Sequence, residues 1–180
     1  MQTRVEDVRR YKFQRDEHFF FDANIWLHIY GPNPPSQGGL SRVYSSALRD
    51  MRMAGCHIFI DVLVMSEFVN RYARLEHKQS GSGGESFKEF RRSEKFKPVA
   101  LDISMNAKRI VTLCQAIGSA FEATDIVSLL TDFGAGNHDF NDQMIREICL
   151  VNSLKLVTDD VDFADSDLAI LTANPQLIEA

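Results

Sequence analysis

Three short apolar runs in this 180-residue sequence each run into an aspartate, and that repeated pattern constrains the fold more than any other feature. Phe19-Phe20-Phe21 ends at Asp22, and His57-Ile58-Phe59-Ile60 ends at Asp61. Leu154-Lys155-Leu156-Val157 leads into Thr158, Asp159 and Asp160. Apolar runs this short, bounded by polar or turn residues, read as buried strands. Leu168 to Leu171 reads as a further strand, and Val99-Ala100-Leu101 as a short one. Between them lie segments with apolar residues at helical spacing: Ala23 to Tyr30, Leu40 to Met53, Val62 to Glu76, Ser104 to Ile117, Ala123 to Leu130 and Asn141 to Val151. Strands alternating with helices predict an α/β domain around a mostly parallel sheet of about five strands. One domain is expected over 1–180.

The connecting segments are read from composition. Residues 1–17 are polar and mixed in charge, which predicts a short helix or an N-terminal arm. Gly31 to Gly39 is a loop. Residues 78–86 (KQSGSGGES) predict a flexible loop, because Gly and Ser leave the backbone unrestrained. Phe87 to Phe96 predicts a basic helix anchored by Phe87, Phe90 and Phe96, and Thr131 to Asn137 a loop. No apolar run approaches the roughly 18–20 residues of a membrane span. The charged N-terminus does not read as a secretory signal. Cys56, Cys114 and Cys149 are an odd number with no CxxC spacing, which predicts reduced core thiols, a cytoplasmic location and no zinc site.

The charge is unevenly spread. The whole chain carries a formal −5, yet residues 1–109 hold 18 Lys and Arg against 13 Asp and Glu, whereas residues 110–180 hold 2 against 12. An acidic half that holds a cation, beside a basic half that meets phosphates, would produce this asymmetry. Ordinary surface variation would also produce it.

The acids themselves are placed by the pattern. In open α/β sheets, sites form outside the carboxyl ends of strands where the strand order reverses. Asp22, Asp61, Asp160 and Asp162 fall at or just past such ends. Glu67 lies within two turns of one, and Asp139 and Asp142 open the helix that leads into the 154–157 strand. Clustered carboxylates repel unless a positive charge neutralises them, and a hard divalent cation with oxygen ligands is the usual partner. Several of these acids have a plainer reading. Asp61 reads as a helix N-cap, Asp139 as another, and Asp159 as structural.

Phe21-Asp22-Ala23-Asn24, Glu67 within VLVMSEFVNRYAR, Asn141-Asp142-Gln143-Met144-Ile145, and Leu156 through Phe163 (LVTDDVDF) together resemble the signature of PIN-domain proteins. The resemblance spans about Phe19 to Leu171. It implies a three-layer α/β/α fold and a metal-dependent nuclease acting on RNA, similar to the VapC-type toxins of VapBC toxin–antitoxin pairs. It implies catalytic and metal-binding acids at Asp22, Glu67, Asp142 and Asp160, with Asp162 often added, and polar helpers at Asn24 and Thr158. An antitoxin protein is an implied partner. The sequence is longer than compact toxins, and its surplus falls in 31–39 and 78–97.

Elementary chemistry agrees with that resemblance. Hydrolysing a phosphodiester at neutral pH needs an activated water and a cation to absorb charge, and Mg²⁺ or Mn²⁺ supplies both. Without metal, the carboxylates are expected to show raised pKa values. RNA contacts are expected from Arg71, Arg74, Lys88, Arg91 and Arg92, with Lys78, Lys95 and Lys97 nearby. The Phe residues among them read as core anchors or as stacking surfaces. The apolar faces of Leu40–Met53 and Val62–Glu76 fit either a core or a homodimer interface. Two rival readings remain. One is a PIN-like scaffold that binds RNA or protein without cutting. The other is a phosphatase-type hydrolase with an Asp nucleophile, which wants DxD where this chain has Asp22-Ala23-Asn24.

Overall fold

The computed structural model describes residues 4–32, 38–81, 84–136 and 138–179. Its centre is a six-stranded sheet. Strands β1 (Arg4–Asp7), β2 (His18–Phe21), β3 (His57–Ile60), β4 (Gln115–Ala116), β5 (Lys155–Val157) and β6 (Ala169–Thr172) are arranged in the order β1-β6-β5-β2-β3-β4. Every pairing is parallel. The helices are α1 (Ala23–Tyr30), α2 (Gly38–Ala54), α3 (Val62–Gln79), α4 (Phe87–Phe90), α5 (Phe96–Leu113), α6 (Ile126–Gly134), α7 (Phe140–Val151) and α8 (Pro175–Ile178). The three-layer α/β/α architecture is the expected one, with one more strand than the apolar runs suggested.

β2 takes the middle because it is the most apolar strand. Phe19, Phe20 and Phe21 are all fully buried, flanked by β5 on one side and β3 on the other. The chain leaves β2 toward β3 and later returns to its opposite flank as β5. The carboxyl ends of β2 and β5 therefore lie at the point where strand order reverses. The core closes around this centre with Trp26 and Ile25 of α1, Tyr44 and Met51 of α2, Phe68 of α3, Ile110 of α5, and Ile145 and Ile148 of α7.

Some elements depart from the sequence reading. Residues 4–7, expected in a helix or loose arm, form edge strand β1 on β6. Its residues Arg4-Val5-Glu6-Asp7 carry no apolar run, as suits a sheet edge. The segment after it is tied down. Glu17 accepts from Tyr11 Oη and from Lys155 Nζ, each at 2.6 Å. Val99–Leu101 lies inside α5 rather than in a strand. Pro98, in the first turn, does not interrupt that helix because no hydrogen bond needs its missing N–H. The segment Phe87–Phe96 splits into α4, closed by a Ser86/Glu89 capping box, and the start of α5. Residues 131–134, expected in a loop, continue α6. Of the expected flexible loop 78–86, Lys78 and Gln79 complete α3, while Ser82 and Gly83 lie outside the described residues.

Two glycines set helix ends. α1 stops at Gly31, whose N–H donates to the Leu27 carbonyl, and a Cβ there would fall 2.4 Å from that oxygen. Gly55 follows α2 with φ +80. The three cysteines are free, Cys149 buried and the other two half-buried. No helix among the described residues is long and apolar enough to cross a membrane.

Candidate functional site

Asp22 directly follows the central strand, and the register decides what meets it. Phe21 pairs with Val157 across β2 and β5, so Asp22 and Thr158 emerge side by side at the carboxyl edge. Thr158 Oγ1 donates to Asp22 Oδ2 at 2.7 Å, and Asn24 Nδ2 donates to the same oxygen at 2.6 Å. Thr158, fully buried, also accepts from Asn24 Nδ2 at 3.2 Å and from the Asp160 N–H at 3.0 Å. The two predicted polar helpers thus hold the predicted central acid. Although Asp22 occupies the N-cap position of α1, its side chain makes no cap hydrogen bond. Asp61, at the matching position after β3, behaves otherwise. Its Oδ1 accepts from the Val64 N–H at 3.0 Å, as the capping reading required.

Asp22 is only 5% exposed, and no cation among the described residues pairs with it. Burial drives its pKa up, the Thr158 hydrogen bond opposes this, and the negative charges of Glu67 and Asp160 add to the rise, leaving it at about 6. Asp142, in the first turn of α7, is pushed to about 7, first by burial and then by Asp139, Asp160, Asp22 and Asp162. The fold therefore brings the predicted acids within electrostatic reach of one another. It does not close them into a cage. Among the described residues, no three His, Cys, Asp or Glu side chains gather closely enough to hold a metal ion as they stand.

Three of the outer acids have local partners instead. Glu67 accepts from Arg71 one turn along α3 at 2.9 Å. Asp160 Oδ1 accepts from the Asp162 N–H at 3.1 Å, opening a short 3₁₀ turn over Val161–Phe163. Asp139 caps α7 through the Asn141 N–H at 2.8 Å. Asp162 is exposed at the rim and shares a cleft with Asp142. An all-oxygen set of this kind suits a hard cation in chemistry and in charge, since a positive ion would relieve the repulsion that raises Asp22 and Asp142. The separate local partners must give way first.

The predicted basic surface is partly assembled. Arg74, Lys88, Arg91 and Arg92 line one open cavity with Phe87. The Arg74 guanidinium lies 4.6 Å from the Phe87 ring centre, and that of Arg91 lies 5.9 Å from the rings of Phe87 and Phe96. Phe90 is buried, so that anchor belongs to the core, whereas Phe87 and Phe96 are half-buried. Arg71 stands apart from this group, turned to Glu67. Glu67, Arg71 and Arg74 share one stripe of α3 at i, i+4 and i+7. The stripe runs from the acids to the basic surface over about 10 Å of helix.

One network was invisible in the sequence. Tyr44 Oη donates to Asp159 Oδ1, and His28 Nε2 approaches the second oxygen to 3.0 Å, a contact in distance though off the hydrogen-bond axis. Thr172 Oγ1 donates to Asp159 at 3.2 Å, and the Ala173 N–H donates to Tyr44 Oη at 2.8 Å. Burial pushes Asp159 up, but His28, Tyr44 and Thr172 outweigh it, and its pKa falls below the ordinary value. Tyr44 reads in the sequence as one more apolar helix position, so no signal marked it.

No protein-family model matches the chain, and no curated protein matches it. Its fold does have solved counterparts. VapBC2 from Rickettsia felis, solved bound to a DNA fragment from their promoter, is 16% identical, with 86% of this chain and 98% of that chain covered and a TM-score of 0.54. PAE2754 from Pyrobaculum aerophilum is 13% identical, with 97% of this chain and 95% of that chain covered and a TM-score of 0.51. These likenesses establish a PIN-like fold, as the motifs from Phe21 to Phe163 implied.

Proposed function

We propose that this protein is a divalent-metal-dependent ribonuclease whose reacting centre lies between the carboxyl ends of β2 and β5. One observation carries the reading. Asp22 is buried at the switch point of a parallel sheet, fixed by Thr158 and Asn24, and without a positive partner among the described residues. Carboxylates kept for stability are paired or capped, whereas those kept for chemistry are held in place and left wanting charge. Asp22, Asp142, Glu67 and Asp160 would hold Mg²⁺ or Mn²⁺, with Asp162 acting at the rim. When bound, such an ion supplies an acidified water and stabilises charge on the phosphate.

The chain's own residues have narrower tasks. Thr158 and Asn24 both donate to Oδ2 of Asp22 and so orient the carboxylate. Glu67 could join such a ligand set only if Arg71 turned away, which would cost little because the pair is partly exposed. Arg74, Lys88, Arg91 and Arg92 bind the RNA backbone, and Phe87 offers a face for a base. The likeness to VapBC2, together with the motif resemblance, supports the narrower proposal that the protein is the toxin of a toxin–antitoxin pair in the cytoplasm, with an antitoxin protein as partner.

The test is cleavage of pooled single-stranded RNA with Mg²⁺ or Mn²⁺ by the wild type, Asp22→Asn and Asp142→Asn. Cleavage that survives in both variants sinks the assignment. A second reading has an observation in its favour: the acids do not form a ready cage, and Glu67 is paired with Arg71. That reading is a non-catalytic PIN-like scaffold binding RNA or protein. RNA binding by a wild type that cleaves nothing would establish it.

A further inference from the structure

We infer that the cleft beside Asp142 receives one nucleobase of a single-stranded RNA, an adenine in preference to a uracil, and that the side-chain amide of Gln143 reads its edge. The inference rests on the ribonuclease reading of the neighbouring carboxylates. The cleft is bounded by α6, the start of α7 and the turn after Asp160, and measures about 260 Å³. That is below the roughly 300–1,000 Å³ of pockets that enclose drug-sized ligands, and suits a single ring system. Leu129 and Phe163 supply apolar walls, while Asp142 and Asp162 join the cleft to the acidic centre.

Gln143 is the residue that points to a ligand. It lines the cleft, is only 7% exposed, and its Oε1 is buried without a hydrogen-bond partner among the described residues. Its neighbours Met144 and Ile145 are buried apolar residues, so burial alone favours an apolar side chain here. An unpartnered buried carbonyl is costly and calls for a donor. The lining charge says what kind of donor. Arg146 is already engaged, by Glu147 at 2.6 Å, by the Ser166 carbonyl at 2.9 Å and by Asp167 at 3.7 Å. What remains is chiefly acidic, which repels a phosphate and suits a flat neutral group with N–H donors on its edge. The exocyclic amine of adenine is such a donor, with two N–H groups, whereas the single edge N–H of uracil is flanked by two carbonyl oxygens that the acidic lining repels, and a glutamine amide can pair with an adenine edge through two hydrogen bonds. Bases of single-stranded RNA are splayed and read in this way.

The test uses the full chain carrying Asp22→Asn, so that RNA is not cut, and fluorescence anisotropy with short labelled oligoadenylate and oligouridylate. Oligoadenylate is expected to bind about ten-fold more tightly, the discrimination of one good amide–base pair. Adding Gln143→Leu, or separately Gln143→Met, is expected to remove that preference while leaving oligouridylate affinity in place. Melting curves of both variants should show no loss of stability, because each replaces an unpartnered amide with an apolar chain of similar size. Equal preference with and without the amide overturns the inference, as does a parent with no preference. Wild-type cleavage of RNA without base preference overturns the pocket and leaves the nuclease reading standing. Preferential binding without any cleavage does the reverse.

Discussion

Asp22 after β2 and Asp159 after β5 stand at the same edge of one sheet, and their surroundings are opposite. Asp159 is surrounded by polar groups: Tyr44 and Thr172 donate to its Oδ1, His28 lies 3.0 Å from Oδ2, which accepts no hydrogen bond among the described residues, and Asn174 Nδ2 donates to its backbone carbonyl at 2.7 Å. Its pKa falls below the ordinary value despite burial. Asp22 is more deeply buried, receives donors on one oxygen, and faces other negative charges, so its pKa rises to about 6. The two are mechanically linked, since Asn24 donates to Asp22 and its Oδ1 lies 3.4 Å from the Asp159 N–H. The contrast teaches that burial alone does not identify a functional carboxylate. What separates the two is the company the fold gives each: hydroxyl and imidazole groups around Asp159, other carboxylates around Asp22.

The sharpest way to break this comparison is to remove each charge in turn. Asp22→Asn is expected to lower RNA cleavage by about 10³-fold, the loss of several kcal/mol of transition-state stabilisation. Its melting temperature without metal should not fall, because a buried repulsion disappears. Asp159→Asn should do the reverse. The loss is expected to cost about 1–3 kcal/mol in denaturant unfolding, because the amide keeps an acceptor for Tyr44 but removes the charge that strengthens its hydrogen bonds and sets an N–H2 donor against His28. If Asp22→Asn destabilises as much as Asp159→Asn, the two sites do not differ in kind.

The pH dependence sharpens the same contrast. The folded pKa of Asp22 is raised, so the folded state holds its proton where the unfolded chain has lost it. Stability from this group is complete below the unfolded value near 4 and is lost as pH rises through about 6, amounting to about 3 kcal/mol. Asp142 acts in the same direction up to about 7. Asp159 is depressed, so its contribution is present above pH 4 and is lost as pH falls below that. Metal-free protein should therefore lose stability between about pH 4 and 7, and Asp22→Asn should flatten that slope in a pH series of melting curves.

Millimolar Mn²⁺ at neutral pH is expected to restore about 2.7 kcal/mol at a hundred times its Kd, and to do nothing for Asp22→Asn. Calorimetric melting with and without the ion decides this, and a wild-type curve unmoved by Mn²⁺ counts against the metal site. The smallest effect is expected at the outer pair. Arg71→Ala should change stability by no more than about 0.5 kcal/mol, because Glu67 and Arg71 form a partly exposed contact.

Much of this molecule could be read from residue order. The Phe19–Phe21 and His57–Ile60 runs became the central strands, and Asp61 and Asp139 became the caps they looked like. The errors fall where local pattern carries little information. β1 and the two-residue β4 are edge strands without apolar runs, stabilised by pairing that no local window contains. Val99–Leu101 has strand-like residues but sits in a helix whose buried contacts are Ile103 and Ile110, one heptad apart. Of the basic residues grouped by composition, Arg74, Lys88, Arg91 and Arg92 share a cavity with Phe87, whereas Arg71 turns to Glu67, a partner set by helical spacing and not by charge count.

By itself the sequence determined that apolar strands would end on acids at one edge of a parallel sheet, because strand length, alternation and helix spacing are local properties. It could not determine which of those acids would cap a helix and which would be held by donors from another strand. Asp22 and Asp61 look alike in the chain, each an aspartate between a strand and a helix. Only the tertiary structure separated them. The β2–β5 register sets Asp22 beside Thr158, 136 residues away, and its side chain makes no cap hydrogen bond, while Asp61 accepts from the Val64 N–H and caps its own helix. The physical reason is that a carboxylate takes the nearest donors available, and for Asp22 those donors arrive by strand pairing.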